Sequence, residues 1–213
     1  MISFYRQNSL LNQVLIVDGQ AGCGKTMITN VLSSFERVEH FKYCSEIENI
    51  CTINHFNKID FDAAKTFIKI YMDEQIYNSM MSRNLNFRYS DLSSIFKSTR
   101  PFIYIKRLFN KGDKFIPNKI KNEKPILHFA THSLLAHSKI LFQSLMEKII
   151  LVEVVRHPAY MIEQQTRNHL NFDEISARDF HVRINKNDHE VPFWLKDFEF
   201  GNKKLLPIDR AIF

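Results

Sequence analysis

The sequence predicts an α/β fold: a central parallel sheet, helices packed on it, and a helical insertion in the middle of the chain. Three observations predict it. Short apolar runs alternate with helix-patterned segments in both halves of the chain, the rhythm of parallel strands joined by crossover helices. Glycine is scarce, yet three of the five glycines cluster at Gly19, Gly22 and Gly24, between one such run and one such helix. The chain has 213 residues, 45% hydrophobic and 24% charged, a globular balance with enough apolar side chains for one core.

The elements follow in order. Gln13 to Asp18 is an apolar run ending at glycine, which reads as a strand buried on both faces. Thr26 to Leu32 begins a helix, with Met27 and Val31, and Ile28 and Leu32, at helical spacing. Residues 60–82 carry the longest helical pattern: Phe61, Ala64, Phe67, Ile68, Tyr71, Met72 and Ile76 share one face, behind Asp60 as the N-cap. Such a stripe reads as core. Residues 83–123 are mixed and rich in Asn, Lys, Ser and Phe, and read as short helices and loops. The rhythm returns with a strand at Pro125–Ala130, a helix at Leu134–Met146 and a strand at Lys148–Val155. Pro158 opens a helix to about His169, since proline fits a first helical turn. A further strand is expected near Val191–Leu195.

The net charge is +6 and the isoelectric point about 9.2. This suits an anionic partner, or simply a solvated basic surface. The three cysteines, Cys23, Cys44 and Cys51, form neither a CxxC pair nor a closed disulfide framework. The N-terminus lacks the order of a signal peptide, and no apolar run reaches the ~20 residues that span a bilayer. A cytoplasmic protein without a membrane span is expected.

Gly19-Gln20-Ala21-Gly22-Cys23-Gly24-Lys25-Thr26 matches G-x-x-x-x-G-K-[ST] in full. Glycines at these spacings let backbone N–H groups turn around phosphate oxygens, and the helix start adds a positive dipole end. Lys25 reaches the terminal phosphoryl or sulfuryl group, and Thr26 contacts phosphate or metal. The expected fold is thus the three-layer P-loop type. The loop alone serves hydrolysis, phosphoryl transfer and sulfuryl transfer alike. Glu153 resembles a Walker B acid, but the apolar run continues through Val155, which puts Glu153 inside the strand. Asp18 reads as local turn chemistry. A second anion site is expected at Arg156, where the apolar strand ends in Arg156-His157-Pro158.

These segments resemble the sulfotransferase family. Val14 through Thr26 is similar to its 5′-phosphosulfate loop. Lys148 through Pro158 is similar to its 3′-phosphate segment, and Ala130-Thr131-His132 to its Lys-Thr-His stretch. The matched stretches are residues 12–35 and 124–170. The departures are a Gly at 22 where the family often has a basic residue, and Lys25 where it has Thr or Ser. Ala130 replaces the lysine, and Gln164 stands at the usual 3′-phosphate serine. No Arg-Lys-Gly occurs near the end, which fits a truncated C-terminus or a reduced cofactor cover.

The resemblance implies a single domain over residues 1–213 that uses 3′-phosphoadenosine 5′-phosphosulfate. Its phosphosulfate would lie on Gly19–Thr26 and its 3′-phosphate on Arg156, with Gln164 nearby. Lys25 would neutralise the leaving oxygen, and His132 would take the proton of an acceptor hydroxyl or amine on a small molecule or glycan. The scheme needs no metal, and His128, His132 and His137 lack the tight spacing of a metal site on one helix. The full Walker A loop keeps a second reading open, a kinase or NTPase using ATP or GTP with magnesium. A third, a basic nucleic-acid-binding module, has only the charge and Lys–Phe pairs such as Phe96-Lys97 and Lys114-Phe115.

Overall fold

The computed structural model describes residues 2–110, 112–169, 180–186 and 189–197. Four strands form one parallel sheet: β1 (Gln13–Asp18), β2 (Lys42–Tyr43), β3 (Ile126–Ala130) and β4 (Ile149–Glu153), in the order β2-β3-β1-β4. β1 lies centrally, Val14 pairing with Leu127 on one side and Ile149 on the other. The expected strands thus form, and their carboxyl ends share one edge. Two-residue β2 carried no pattern long enough to be read.

The two faces of the sheet follow the period-two alternation. Val14, Ile16, Leu127 and Phe129 point into the main core. There they meet α2 (Ser45–His55), α3 (Phe61–Ser79) and α6 (Lys139–Leu145) through Ile47, Ile68, Met72 and Leu141. On the other face His128 meets Ser33 at the end of α1 (Lys25–Leu32), ring Nδ1 to hydroxyl at 3.0 Å. Helices therefore flank the sheet.

Several boundaries and faces differ from the sequence reading. In α1 the buried positions are Lys25 and Thr29, while Met27 and Val31 stand 68% and 53% exposed. The glycine loop fixes where the helix begins and turns Lys25 inward, and the apolar pair is carried outward with it. In α3 the buried stripe is Ala64, Ile68, Met72 and Ile76; Phe61 and Phe67 are exposed. Asp60 occupies the N-cap position, but its backbone carbonyl, not its side chain, accepts from Ala64 N–H. The helix expected over 134–146 splits into a 3-10 turn at Leu135–His137 and then α6. β4, expected to run over Lys148–Val155, stops at Glu153, before Val154 and Val155.

Within residues 83–123 lie a 3-10 turn at Ile95–Lys97 and the helices α4 (Pro101–Leu108) and α5 (Ile116–Glu123). This region is fastened to the sheet by a buried two-pronged pair, Arg107 Nη1 and Nη2 to the Glu39 carboxylate at 2.6 and 2.9 Å. α7 (Pro158–His169) follows β4 as expected. β5 (Arg183–Lys186) pairs antiparallel with β6 (His189–Pro192), which covers the start of the strand expected near Val191–Leu195; from Phe193 to Leu195 the chain forms a 3-10 turn instead. The N-terminal segment is held by Asp73 of α3, whose Oδ1 accepts from Ser9 Oγ and from the N–H groups of Leu10 and Leu11. Among the described residues no helix is long and apolar enough to cross a membrane.

Burial in the sheet makes His128 a pH-sensitive part of the fold. Desolvation lowers its imidazole from 6.5 to about 4. In the unfolded chain the ring takes a proton as pH falls through about 6.5, and in the folded chain it does not. Stability is complete above that point and is lost as pH falls toward about 4. His128→Leu should therefore reduce the loss of urea-unfolding free energy between about pH 7 and about pH 4.5 by roughly 2 kcal/mol. An unchanged pH slope in the variant would contradict this.

Candidate functional site

The candidate site is built at the carboxyl edge of the sheet. β1 ends at Asp18, and the chain turns through Gly19, Gly22 and Gly24 at φ of 132°, 88° and 104°, a region that side chains disfavour. Gly19 has a second constraint: a β-carbon there would collide with the Val154 carbonyl oxygen. Within the loop Cys23 N–H donates to the Gln20 carbonyl at 3.2 Å, and Cys23 itself is buried. Gly24 is the N-cap of α1, and no side chain caps the helix. Met27 N–H donates to the Gly24 carbonyl at 3.1 Å, which leaves the earlier N–H groups of the first turn, those of Lys25 and Thr26, to face an anion. Gln20, Ala21, Gly22 and Gly24 are exposed, and Thr26 is half-buried at the helix start.

Lys25 is buried, and its Nζ donates to the carbonyls of Gly19 and Gln20, the latter at 3.0 Å. Burial lowers its pKa; Cys23, Asp18, Glu48 and Glu153 act in the opposite direction. The ammonium is thus parked on the loop's own carbonyls, and an anion in the loop would compete for it and favour its charge.

One carboxylate ties the edge together. Asp18 is 1% exposed. Its oxygens accept from Thr131 Oγ1 and from Leu135 N–H, both at 2.8 Å. The expectation of local turn chemistry at Asp18 is corrected: its side-chain partners lie 113 and 117 residues away in the chain. Glu153 pairs with Asp18 in the strand register, and Val154 N–H donates to the Asp18 carbonyl at 2.9 Å. Glu153 is therefore the last residue of β4 and not an internal one: the chain leaves the ladder where the Val154 carbonyl turns toward Gly19. Burial and the nearby Asp18 raise the Glu153 carboxyl, and Lys25 lowers it.

Arg156 stands just past β4. Its Nη1 donates to the Gly22 carbonyl at 3.1 Å, and its guanidinium lies 5.5 Å from the centre of the Tyr160 ring. From α7, the Cγ of Gln164 occupies the space where a Gly22 side chain would begin. Gln165 Nε2 donates to the Ala21 carbonyl at 2.6 Å. The sequence singled out Arg156 and Gln164, and both adjoin the loop. Gln165 was missed, although its neighbour Gln164 was the available signal.

His132 follows Thr131 on the same edge, with its side chain 38% exposed. Its backbone N–H donates to Glu48 Oε1 at 2.6 Å, its ring Nδ1 is 3.6 Å from the same oxygen, and the ring stacks on Tyr43. Glu48 Oε2 lies 3.1 Å from Nε2 of His181. Burial alone would raise the Glu48 carboxyl, but hydrogen bonds from His132 and His181 outweigh it and hold the group at about 2. Glu48 and His181 escaped the sequence reading. Glu48 is 84 residues from His132 in the chain, and only the folded sheet joins them. Of the other histidines, His128 is fully buried and cannot meet a substrate, whereas His157 is exposed beside Tyr160.

A cavity of about 770 Å³ lies elsewhere, beside Pro125 at the amino end of β3. It is basic, but Arg107 is engaged by Glu39, and Arg100 donates to the carbonyls of Ser33, Phe35 and Val38. These charges hold the fold, and the cavity does not adjoin the glycine loop.

The crowding at Gly19 gives a direct test of the loop. Gly19→Ala should cost about 1–3 kcal/mol of unfolding free energy through its strained φ, and should remove the stabilisation of the protein by added phosphate. Parental stability with intact phosphate stabilisation would contradict the geometry.

Comparison of the chain with models of protein families, with curated proteins and with solved structures gave no match, so its chemistry is read from its own residues.

Proposed function

We propose that the protein transfers a sulfuryl group from 3′-phosphoadenosine 5′-phosphosulfate to a hydroxyl or amine of a small-molecule or glycan acceptor. The observation that carries this reading is the contact between Arg156 and the glycine loop, Nη1 to the Gly22 carbonyl at 3.1 Å. Two anion-binding devices adjoin: an uncapped helix start and a guanidinium. That pairing suits a nucleotide bearing phosphate groups at two separate positions. The order of segments adds support through the sulfotransferase resemblance: glycine loop, Thr131-His132, then Arg156-His157-Pro158. On this reading the sheet belongs to the three-layer P-loop type, residues 1–213 form one domain, and residues 83–123 are its insertion. Three buried free thiols suit the reducing cytoplasm.

The residues present fit the donor. The loop N–H groups and Thr26 would hold the 5′ end, and Arg156 the 3′-phosphate, with Gln164 filling the wall beside Gly22. Lys25 would leave the Gly19 and Gln20 carbonyls to neutralise charge on the departing bridge oxygen. His132, half-exposed on the same edge, would accept the acceptor's proton. A specific observation favours a second reading. Glu153 ends β4 opposite Asp18, the placement of a Walker B acid, which suits a kinase or NTPase using ATP with magnesium.

Calorimetry separates the two. Adenosine 3′,5′-bisphosphate should bind more tightly than AMP, and Arg156→Ala should erase about 1.5–3 kcal/mol of that difference. Equal affinity for the two, with tight binding of ATP and magnesium, would favour the kinase reading. With labelled donor and a panel of sugars, phenols and amines, His132→Ala should keep nucleotide binding and lower turnover by roughly 10²–10⁴. Full turnover by this variant would remove His132 from the mechanism.

A further inference from the structure

We propose that Glu48, His132 and His181 form a binding site for a divalent transition cation of the zinc class. This inference stands apart from the sulfuryl-transfer reading and does not depend on it. One ligand atom from each of the three residues lies within 4.8 Å of the others. Two imidazoles and one carboxylate are the donor set of three-ligand zinc sites that keep an open fourth position. The same set disfavours magnesium and calcium, which take oxygen ligands in larger number.

The spacing fits a shared ion. Bonds of about 2.0–2.1 Å in a tetrahedral site place neighbouring ligand atoms about 3.3 Å apart. Glu48 Oε2 lies 3.1 Å from His181 Nε2 and Glu48 Oε1 lies 3.6 Å from His132 Nδ1, so each imidazole faces its own carboxylate oxygen at close to that value. A small rotation of the imidazoles would therefore let one cation replace the direct contacts with the carboxylate.

The three ligands are also held in advance. Glu48 is fixed by the His132 backbone N–H, independently of either ring. The His132 ring stacks on Tyr43 at an interplanar angle of 17°. His181 is pinned through its chain neighbours: Asn49, next to Glu48 on α2, donates to the Phe180 carbonyl at 2.8 Å and accepts from Val182 N–H at 3.1 Å. Trp194 packs edge-on against the His181 ring. Such outer support is what orients metal ligands elsewhere. Glu48 is 5% exposed while His132 and His181 are 38% and 26% exposed, so the site is closed behind and open in front.

Occupancy would have a consequence for His132. With Nδ1 on a metal, its other ring nitrogen carries the proton, and the ring no longer accepts one. On the sulfuryl-transfer reading, which this one consequence rests on, the cation would therefore act as an inhibitor of chemistry at this edge, and not as a participant in it.

The test is titration of the chelator-treated full chain with cobalt alone, with no nucleotide present. The parent should bind one cobalt per chain and develop the visible absorption of a tetrahedral nitrogen–oxygen site. His181→Ala and Glu48→Gln should lose that absorption and weaken binding by more than about 10–100-fold. Asn49→Ala, which removes only the outer support, should weaken it by about 10–100-fold. Far-UV circular dichroism checks that each variant folds, and His181→Ala, at a ligand more exposed than Glu48, keeps the test valid if Glu48→Gln does not fold. Absence of cobalt binding by the parent would overturn the proposal, as would binding of equal strength and spectrum by folded His181→Ala. A failure here leaves the nucleotide measurements untouched.

Discussion

The buried carboxylate of Asp18 is the constraint on which the rest of the candidate site depends. It sits at the last position of the central strand, where the chain must turn into the glycine loop. Its two oxygens take Thr131 Oγ1 and Leu135 N–H. Those two donors bracket His132, so one side chain staples both ends of the segment that presents the histidine. The same residue's carbonyl receives Val154 N–H, which brings the end of β4 and the start of the Arg156 segment alongside. A buried carboxylate is costly unless its oxygens are satisfied. Here satisfaction of that demand also fixes His132 relative to the loop, while the backbone carbonyl of the same residue holds the start of the Arg156 segment.

Charge at this edge is balanced in a way that suits an incoming anion. Lys25 and Arg156 are the cations nearest the loop, and each spends its donors on loop carbonyls. Asp18, Glu48 and Glu153 support the charge of Lys25 against its burial. An anion in the loop would offer both cations stronger, charge-assisted partners than carbonyl groups. The site therefore gains most from a ligand that brings negative charge to two places, which is the physical content of the sulfuryl-donor reading. The acid at the end of β4 works in the other direction, since a carboxylate beside a phosphate chain calls for magnesium.

Much of this was legible in the sequence, for local reasons. The glycine spacing and the apolar runs depend on neighbours in the chain, and the loop, β1, β3 and β4 stand where those patterns put them. What failed were matters settled by tertiary contact. The helical spacing of Met27 and Val31 did not show which face is buried: the loop dictates the rotation of α1 and buries Lys25 and Thr29. Val154 and Val155 looked like strand, yet the close approach of the Val154 carbonyl to Gly19 ends the ladder at Glu153. Glu48 and His181 gave no signal, because an acid amid Ile47, Ile50 and Cys51 on a helix shows no partner until β3 brings His132 against it. Asp73 was hidden in the same way: it lies between apolar positions of α3, and its partners are in the N-terminal segment.

If the glycine loop and Arg156 act as one site for one nucleotide, a single ligand must reach both. Amide NMR of the protein during titration with adenosine 3′,5′-bisphosphate tests it most directly. The backbone amides of Gly22, Gly24, Lys25 and Thr26 and the guanidinium of Arg156 should shift together, along a single binding curve. Loop amides that stay still while Arg156 moves, or shifts confined to the basic cavity around Arg37 and Lys106, would contradict it.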